Sequence, residues 1–87
     1  MNDLITNFIE KDIAINLRTH EAFFEFMKLC EERGLKWNDG ADPTLYDYWA
    51  DEEFCVVYDV QRNSGMRWAD EKSYVNNGYK IFKIESL

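Results

Sequence analysis

The chain has 87 residues, of which 46% are hydrophobic and 16% aromatic, with a single proline. This length fits one domain, 1–87, and this composition predicts a folded chain rather than a disordered one. The formal net charge of −7 excludes a generic nucleic-acid-binding domain, because such domains carry a basic surface. The sequence shows neither an apolar run of membrane-spanning length nor a signal peptide, so we expect a cytoplasmic protein without a membrane partner.

The first predicted elements are a short helix and a strand. Over residues 1–11, hydrophobic side chains recur at helical spacing. Over residues 12–18 the period changes to two, with Ile13, Ile15 and Leu17 on one side. This alternation predicts a strand with one well-buried face.

Residues 19–33 form the clearest predicted element, an amphipathic helix. Thr19 is a good N-terminal cap, and Gly34 supplies the left-handed residue that commonly follows a helix. The one histidine, His20, falls in the first turn, where we expect a solvated side chain rather than a base or a metal ligand.

The second half of the chain reads as strands separated by turns. We predict strands at 35–37, 53–60, 66–68 and 79–84, an ordered loop at 38–51 and a hairpin turn at 62–65. Residues 70–75 read as either one helical turn or an irregular connection, with Asp70 as a candidate cap. Together these elements predict an α+β fold. Its sheet is mainly antiparallel with four to five strands, and the 19–33 helix packs on one face.

The negative charge is concentrated in one segment. Between Trp37 and Gln61 there is no Lys or Arg, but there are seven acids: Asp39, Asp42, Asp47, Asp51, Glu52, Glu53 and Asp59. The aromatic residues Tyr46, Tyr48 and Trp49 lie among them. Acids interleaved with aromatics are typical of an interface, so a first interpretation is a surface that binds a basic partner. The alternative is a loop that only keeps the protein soluble. We expect Asp39, Asp42, Asp47, Asp51, Glu52, Glu53, Tyr46, Tyr48 and Trp49 to contact such a partner.

A second candidate site combines basic and aromatic residues near the C-terminal strands. It consists of Arg62, Arg67, Trp68, Tyr74 and Tyr79. Guanidinium and aromatic groups together can hold a phosphorylated base through charge-assisted hydrogen bonds and stacking. The alternative is that these basic residues only protect strand edges from aggregation.

No catalytic or cofactor motif is present. The chain lacks the glycine-rich nucleotide loops, the nucleophile elbow and the HExxH zinc motif. We expect Cys30 and Cys55 to be buried free thiols rather than a disulfide, and the sequence leaves open whether they contact one another. Two cysteines with one histidine fit no zinc pattern. The sequence therefore predicts neither an enzyme nor a bound cofactor or metal.

Two segments resemble parts of small bacteriophage and prophage proteins. They are LCEERGLKW at 29–37, followed by Gly40 and Pro43, and NGYKIFKI at 77–84. The likeness covers roughly residues 12–87 and concerns structural motifs, and most such proteins have no assigned activity. In size and acidity the chain is also similar in general character to anti-CRISPR and other anti-defence proteins, some of which mimic the charge of nucleic acid.

These observations support three functional hypotheses. The first is a non-enzymatic phage binding protein whose acidic loop docks on the basic surface of a host protein, such as a defence nuclease, in place of nucleic acid. The second is a sponge-like module that sequesters a nucleotide-type small molecule, with a homodimer interface as one place for the ligand. The third is a structural or regulatory phage protein whose acidic loop is only solubilising.

Overall fold

A computed structural model describes residues 2–10, 13–59 and 65–85, and these contain three helices and a four-stranded sheet. In chain order the elements are α1 (Asn2–Glu10), β1 (Ile13–Leu17), α2 (His20–Glu32), β2 (Phe54–Asp59), β3 (Gly65–Asp70), α3 (Glu71–Asn76) and β4 (Lys80–Ile84). The predicted α+β class is confirmed. No helix within the described ranges is long and apolar enough to cross a membrane.

The sheet has the strand order β3-β2-β1-β4. β2 pairs antiparallel with both β1 and β3, whereas β4 pairs parallel to β1, so the sheet is mixed but mainly antiparallel. The strand predicted at 35–37 is instead a single bridge between Trp37 and Met66. Of the predicted hairpin turn, residues 62–64 lie outside the described part of the chain.

One face of the sheet is covered by α1 and α2. Phe8, Phe23 and Phe26 are fully buried there, with Ile15 and Leu17 from β1. The predicted caps of α2 are confirmed: the Ala22 N–H donates to Thr19 Oγ1 at 3.0 Å, and Gly34 follows the helix with a φ of 78°.

The opposite face is covered by α3, which corrects the prediction that β1 has only one buried face. Ala14, Cys55, Val57 and Tyr74 form a second, smaller core there. Asn16 is also fully buried, and its Nδ2 donates to Glu71 Oε1 at 2.8 Å. A polar residue in an alternating strand suggested solvent, but α3 supplies the partner that permits its burial.

Cys30 and Cys55 are buried free thiols, as predicted, and they lie in different cores. Cys30 belongs to the core under α2, and Cys55 to the core under α3. Burial raises the pKa of both thiols, that of Cys55 to about 11. Both are therefore protonated and unreactive near neutral pH.

Candidate functional site

The loop between Trp37 and β2, residues 38–53, is called here the acidic loop. Two of its aromatic residues hold it against the body of the protein. The Trp49 Nε1–H donates to the Leu17 carbonyl at 2.8 Å, and Tyr48 packs edge-on against buried Trp37 with ring centroids 5.0 Å apart. Two other large hydrophobic residues of the loop, Leu45 and Tyr46, are 61% and 48% exposed. An anchored loop of this kind presents side chains in fixed positions.

Basic residues from outside the acidic loop neutralise part of its charge. Two ion pairs do so: Asp42 with Lys36, and Glu52 with Arg18. Their side chains are between 31% and 67% exposed, so each pair contributes little to stability. The field of the loop is therefore weaker than its composition indicated.

His20 is exposed, as expected, but it is not a purely solvated side chain. Its Nε2 lies 2.7 Å from Asp47 Oδ2, and its ring stacks on Trp49 at a centroid distance of 5.2 Å. These contacts join the first turn of α2 to the acidic loop. No sequence signal connects the two residues, because they are 27 positions apart.

Asp39 and Asp51 shape the backbone of the acidic loop. Asp39 Oδ1 accepts from the Ala41 N–H, and Asp51 Oδ1 accepts from the Glu53 N–H, both at 2.9 Å. This two-residue spacing is the Asx turn. Within the described ranges neither aspartate, nor Glu53, forms an ion pair, and all three are exposed. Their charges are therefore available to a partner.

Four rings form a continuous row from the acidic loop to β3, called here the aromatic row. It consists of Tyr46, Tyr48, Trp68 and Phe54, with successive centroids 5.6, 5.7 and 5.4 Å apart. Phe54 is buried, whereas Trp68 is 45% exposed. The row thus begins in the core and ends in an apolar surface beside the exposed acids.

A cavity of about 410 Å³ opens at the edge of β3. Three residues of the second predicted site line it together, namely Arg67, Trp68 and Tyr74. Arg67 and Trp68 are consecutive in a strand and point to opposite faces, so the cavity wraps around the sheet edge. Tyr79 packs against the Tyr74 ring, and Arg62 lies outside the described residues.

The two predicted sites meet in this cavity, because Asp39 and Tyr48 also line it. Burial raises the pKa of Tyr74, and the Arg67 guanidinium partly offsets that effect. Burial and the Asp39 carboxylate likewise raise the pKa of Tyr48. Both phenols therefore remain protonated at neutral pH and can donate hydrogen bonds.

A smaller cavity of about 110 Å³ shares Trp68 and Ala69 with the larger one. Its walls include Phe54 and three acids, Asp51, Glu53 and Asp70. Hydrogen bonds from the Ser73 hydroxyl and N–H lower the pKa of Asp70, as expected for the helix-capping role predicted for it. The recess combines an aromatic wall with three acidic side chains.

Comparison with known proteins adds no further member to either site. The chain matches no protein-family model, no curated protein and no solved structure. Within the described ranges, no three His, Cys, Asp or Glu side chains are arranged to hold a metal ion.

The site residues that sequence reasoning missed are Trp37, Asn38, Phe54, Asp70, Ser73 and Asn77. Only the placement of Phe54 could have been found, by pairing the two strands of the predicted hairpin.

Proposed function

We propose that this protein is a non-enzymatic binding protein that docks on a basic surface of another protein. The docking surface consists of the acidic loop and the aromatic row. The observation that carries the proposal is the exposure of Tyr46 and Trp68 at 48% and 45%, on a row anchored in the core. Rigid, half-exposed aromatic rings are the side chains that contribute most to protein interfaces.

The charge around the row supports a basic partner. Asp39, Asp51, Glu53 and Asp70 line the two cavities beside Trp68, against a single base, Arg67. Complementary charge raises association rates and excludes acidic competitors. It also makes binding sensitive to salt, because exposed charges are screened within roughly 8 Å at physiological ionic strength.

The class of partner is proposed from the resemblance to phage proteins. A small acidic phage protein in a bacterial cytoplasm meets host nucleases and other nucleic-acid-handling proteins, including CRISPR-type defence proteins. Their nucleic-acid grooves are basic. Occupying such a groove with carboxylates in place of phosphates would inhibit the host protein.

The test is affinity capture from a bacterial lysate, washed at low and at high salt. The variant Asp39→Asn/Asp51→Asn/Glu53→Gln removes three charges while keeping the acceptors of both Asx turns. The matched control, Glu21→Gln/Glu25→Gln/Glu32→Gln, removes three charges from the outer side of α2. We expect a salt-released nucleic-acid-handling protein with the wild type and the control, but not with the loop variant. An empty capture, or equal capture by all three proteins, would contradict the proposal.

A second candidate function is the sequestration of a nucleotide-type small molecule in the larger cavity. The observation that favours it is that Arg67, Trp68 and Tyr74 line one cavity of about 410 Å³, a volume within the usual range for small ligands. Titration with a panel of nucleotides, followed by tryptophan fluorescence, tests it. We expect a response that Arg67→Met abolishes and that Asp51→Asn/Glu53→Gln leaves intact, because neither of these two acids lines the larger cavity. No response to any nucleotide would refute this candidate.

A further inference from the structure

The outer edge of β3 is open at Trp68. β3 lies at one end of the sheet, and among the described residues only Met66 is paired on its outer side. There the Met66 N–H donates to the Lys36 carbonyl at 2.9 Å, and the Asn38 N–H donates to the Met66 carbonyl at 3.0 Å. The N–H and carbonyl groups of successive residues alternate in direction along a strand. Trp68 lies two residues after Met66, so its N–H and carbonyl also point outward, away from β2. No described residue bonds to them.

The chain itself turns away just before it would cover this edge. The Gly40 N–H donates to the Trp37 carbonyl at 2.8 Å, and the Trp37 N–H donates to the Ala41 carbonyl at 2.9 Å. Gly40 has a φ of 90°, which favours glycine. This tight turn directs the acidic loop off the sheet and leaves the next position along β3 accessible.

The surroundings of the open edge fit an extended segment with basic side chains. Trp68 lines both cavities, so a strand laid beside it would border two recesses. In the smaller recess, a lysine or arginine side chain would meet the rings of Trp68 and Phe54 together with the carboxyl groups of three acids. Both contacts favour a cation.

We propose that β3 binds an extended, basic segment of the partner protein as an added strand next to Trp68. The inference rests on the proposed function and specifies how the partner is held. Main-chain hydrogen bonds would supply affinity. The two recesses would accommodate alternate side chains of the segment and so provide specificity. A second copy of this chain is a poorer occupant, because antiparallel pairing of two β3 edges about Trp68 would place Asp70 of each copy opposite Met66 of the other, whose outward N–H and carbonyl are already bonded to Lys36 and Asn38.

The test uses a probe peptide of eight alternating valine and arginine residues with blocked ends. Two variants isolate the edge: Trp68→Val and Trp68→Pro both remove the indole, but only proline also removes the outward N–H. Proline is tolerated where an edge N–H faces solvent. We expect the proline variant to bind the probe about tenfold more weakly than the valine variant, the loss expected for one or two main-chain hydrogen bonds.

Amide hydrogen exchange of the wild type gives a second readout that does not depend on the folding of either variant. A saturating concentration of the probe should slow exchange of the Trp68 N–H. A probe that is N-methylated along the edge facing β3 should not, because it cannot pair with that strand. Equal affinities of the two folded variants, no added protection, or no binding of the probe would overturn the inference. So would protection of Trp68 that rises with protein concentration alone, because the occupant would then be a second copy.

The loop variant separates this inference from the proposed function. Suppose that the loop variant binds the probe more weakly than the wild type, that Trp68→Val and Trp68→Pro bind it equally, and that the probe does not protect the Trp68 N–H. Charge-driven docking then stands and strand addition fails. If the loop variant instead binds the probe as tightly as the wild type does, the proposed function fails, whatever the result for strand addition.

Discussion

Replacing Gly65 with alanine should detach residues 36–38 from β3. An added Cβ at this position would lie 2.7 Å from Asn38 Cα, 2.9 Å from Asn38 N and 3.1 Å from the Trp37 carbonyl carbon. These are backbone atoms, which cannot rotate away as a flexible side chain would. The clash must therefore be relieved by moving the segment that carries the bridge to Met66.

The expected cost combines two opposing terms. Overpacking of a tight contact costs about 1–3 kcal/mol, while replacing glycine with alanine stabilises by about 0.4–1 kcal/mol through the unfolded chain. We expect a net loss of about 1–2 kcal/mol, which corresponds to a fall in Tm of roughly 4–16 °C for a chain of this length.

The assay is urea unfolding followed by tryptophan fluorescence, together with amide hydrogen exchange. The Asn38 and Met66 amides donate to the bridge and should lose protection in Gly65→Ala. Gly78→Ala is the control: its φ of 85° makes alanine strained, but nothing lies within 4 Å of the new Cβ. It should destabilise the protein without affecting those two amides. Wild-type stability and wild-type protection in Gly65→Ala would refute the reasoning.

Three further predictions concern single groups. Thr19→Ala removes the acceptor of the Ala22 N–H and should cost about 1–2 kcal/mol, whereas Thr19→Ser should melt near the wild type; equal melting of both variants would contradict the capping role. Trp49→Phe removes the donor to the Leu17 carbonyl and should cost about 1 kcal/mol in urea unfolding, and an unchanged unfolding free energy would argue against that bond. Because the pKa of Cys55 rises from 9.0 to about 11 on burial, stability should fall as pH rises through that interval, since the unfolded chain releases a thiol proton that the fold retains. Rapid reaction of the native thiols with a disulfide reagent at about pH 8 would contradict their burial.

The features predicted correctly from the sequence are those set by neighbouring residues. The cap at Thr19, the left-handed Gly34 and the cap at Asp70 all depend on interactions within a few positions of the chain. Alternating hydrophobic residues likewise predicted β2 and β4. Each of these signals acts locally and survives in the folded protein.

The features that were missed depend on contacts between distant residues. The hydrophobic pattern of β4 is the same in either direction, so its parallel pairing with β1 could not be read from it. Burial of Asn16 requires Glu71, 55 positions away, and the contact of His20 requires Asp47. Gly65 was assigned to a turn, whereas its role in the fold is to admit the backbone of Asn38.

At the candidate site, the sequence predicted the residue types but not their arrangement. Three members of the second predicted set share a cavity with Asp39 and Tyr48 of the first. The two sets were treated as alternatives because nothing in the sequence placed the acidic loop against β3. That juxtaposition follows from the bridge between Trp37 and Met66 and from the stacking of Tyr48 on Trp68.

The parallel pairing of β1 with β4 has a consequence for the order of folding. Ile13 pairs with Lys80, 67 positions further along, whereas Asp59 pairs with Gly65, only six positions away. Closing the longer segment costs about 2 kcal/mol more chain entropy than closing the hairpin. The β2–β3 hairpin is therefore favoured to form early and β4 to join late. Until β4 arrives, one side of the central strand β1 is bare, and at that stage the chain is most exposed to mispairing with other chains.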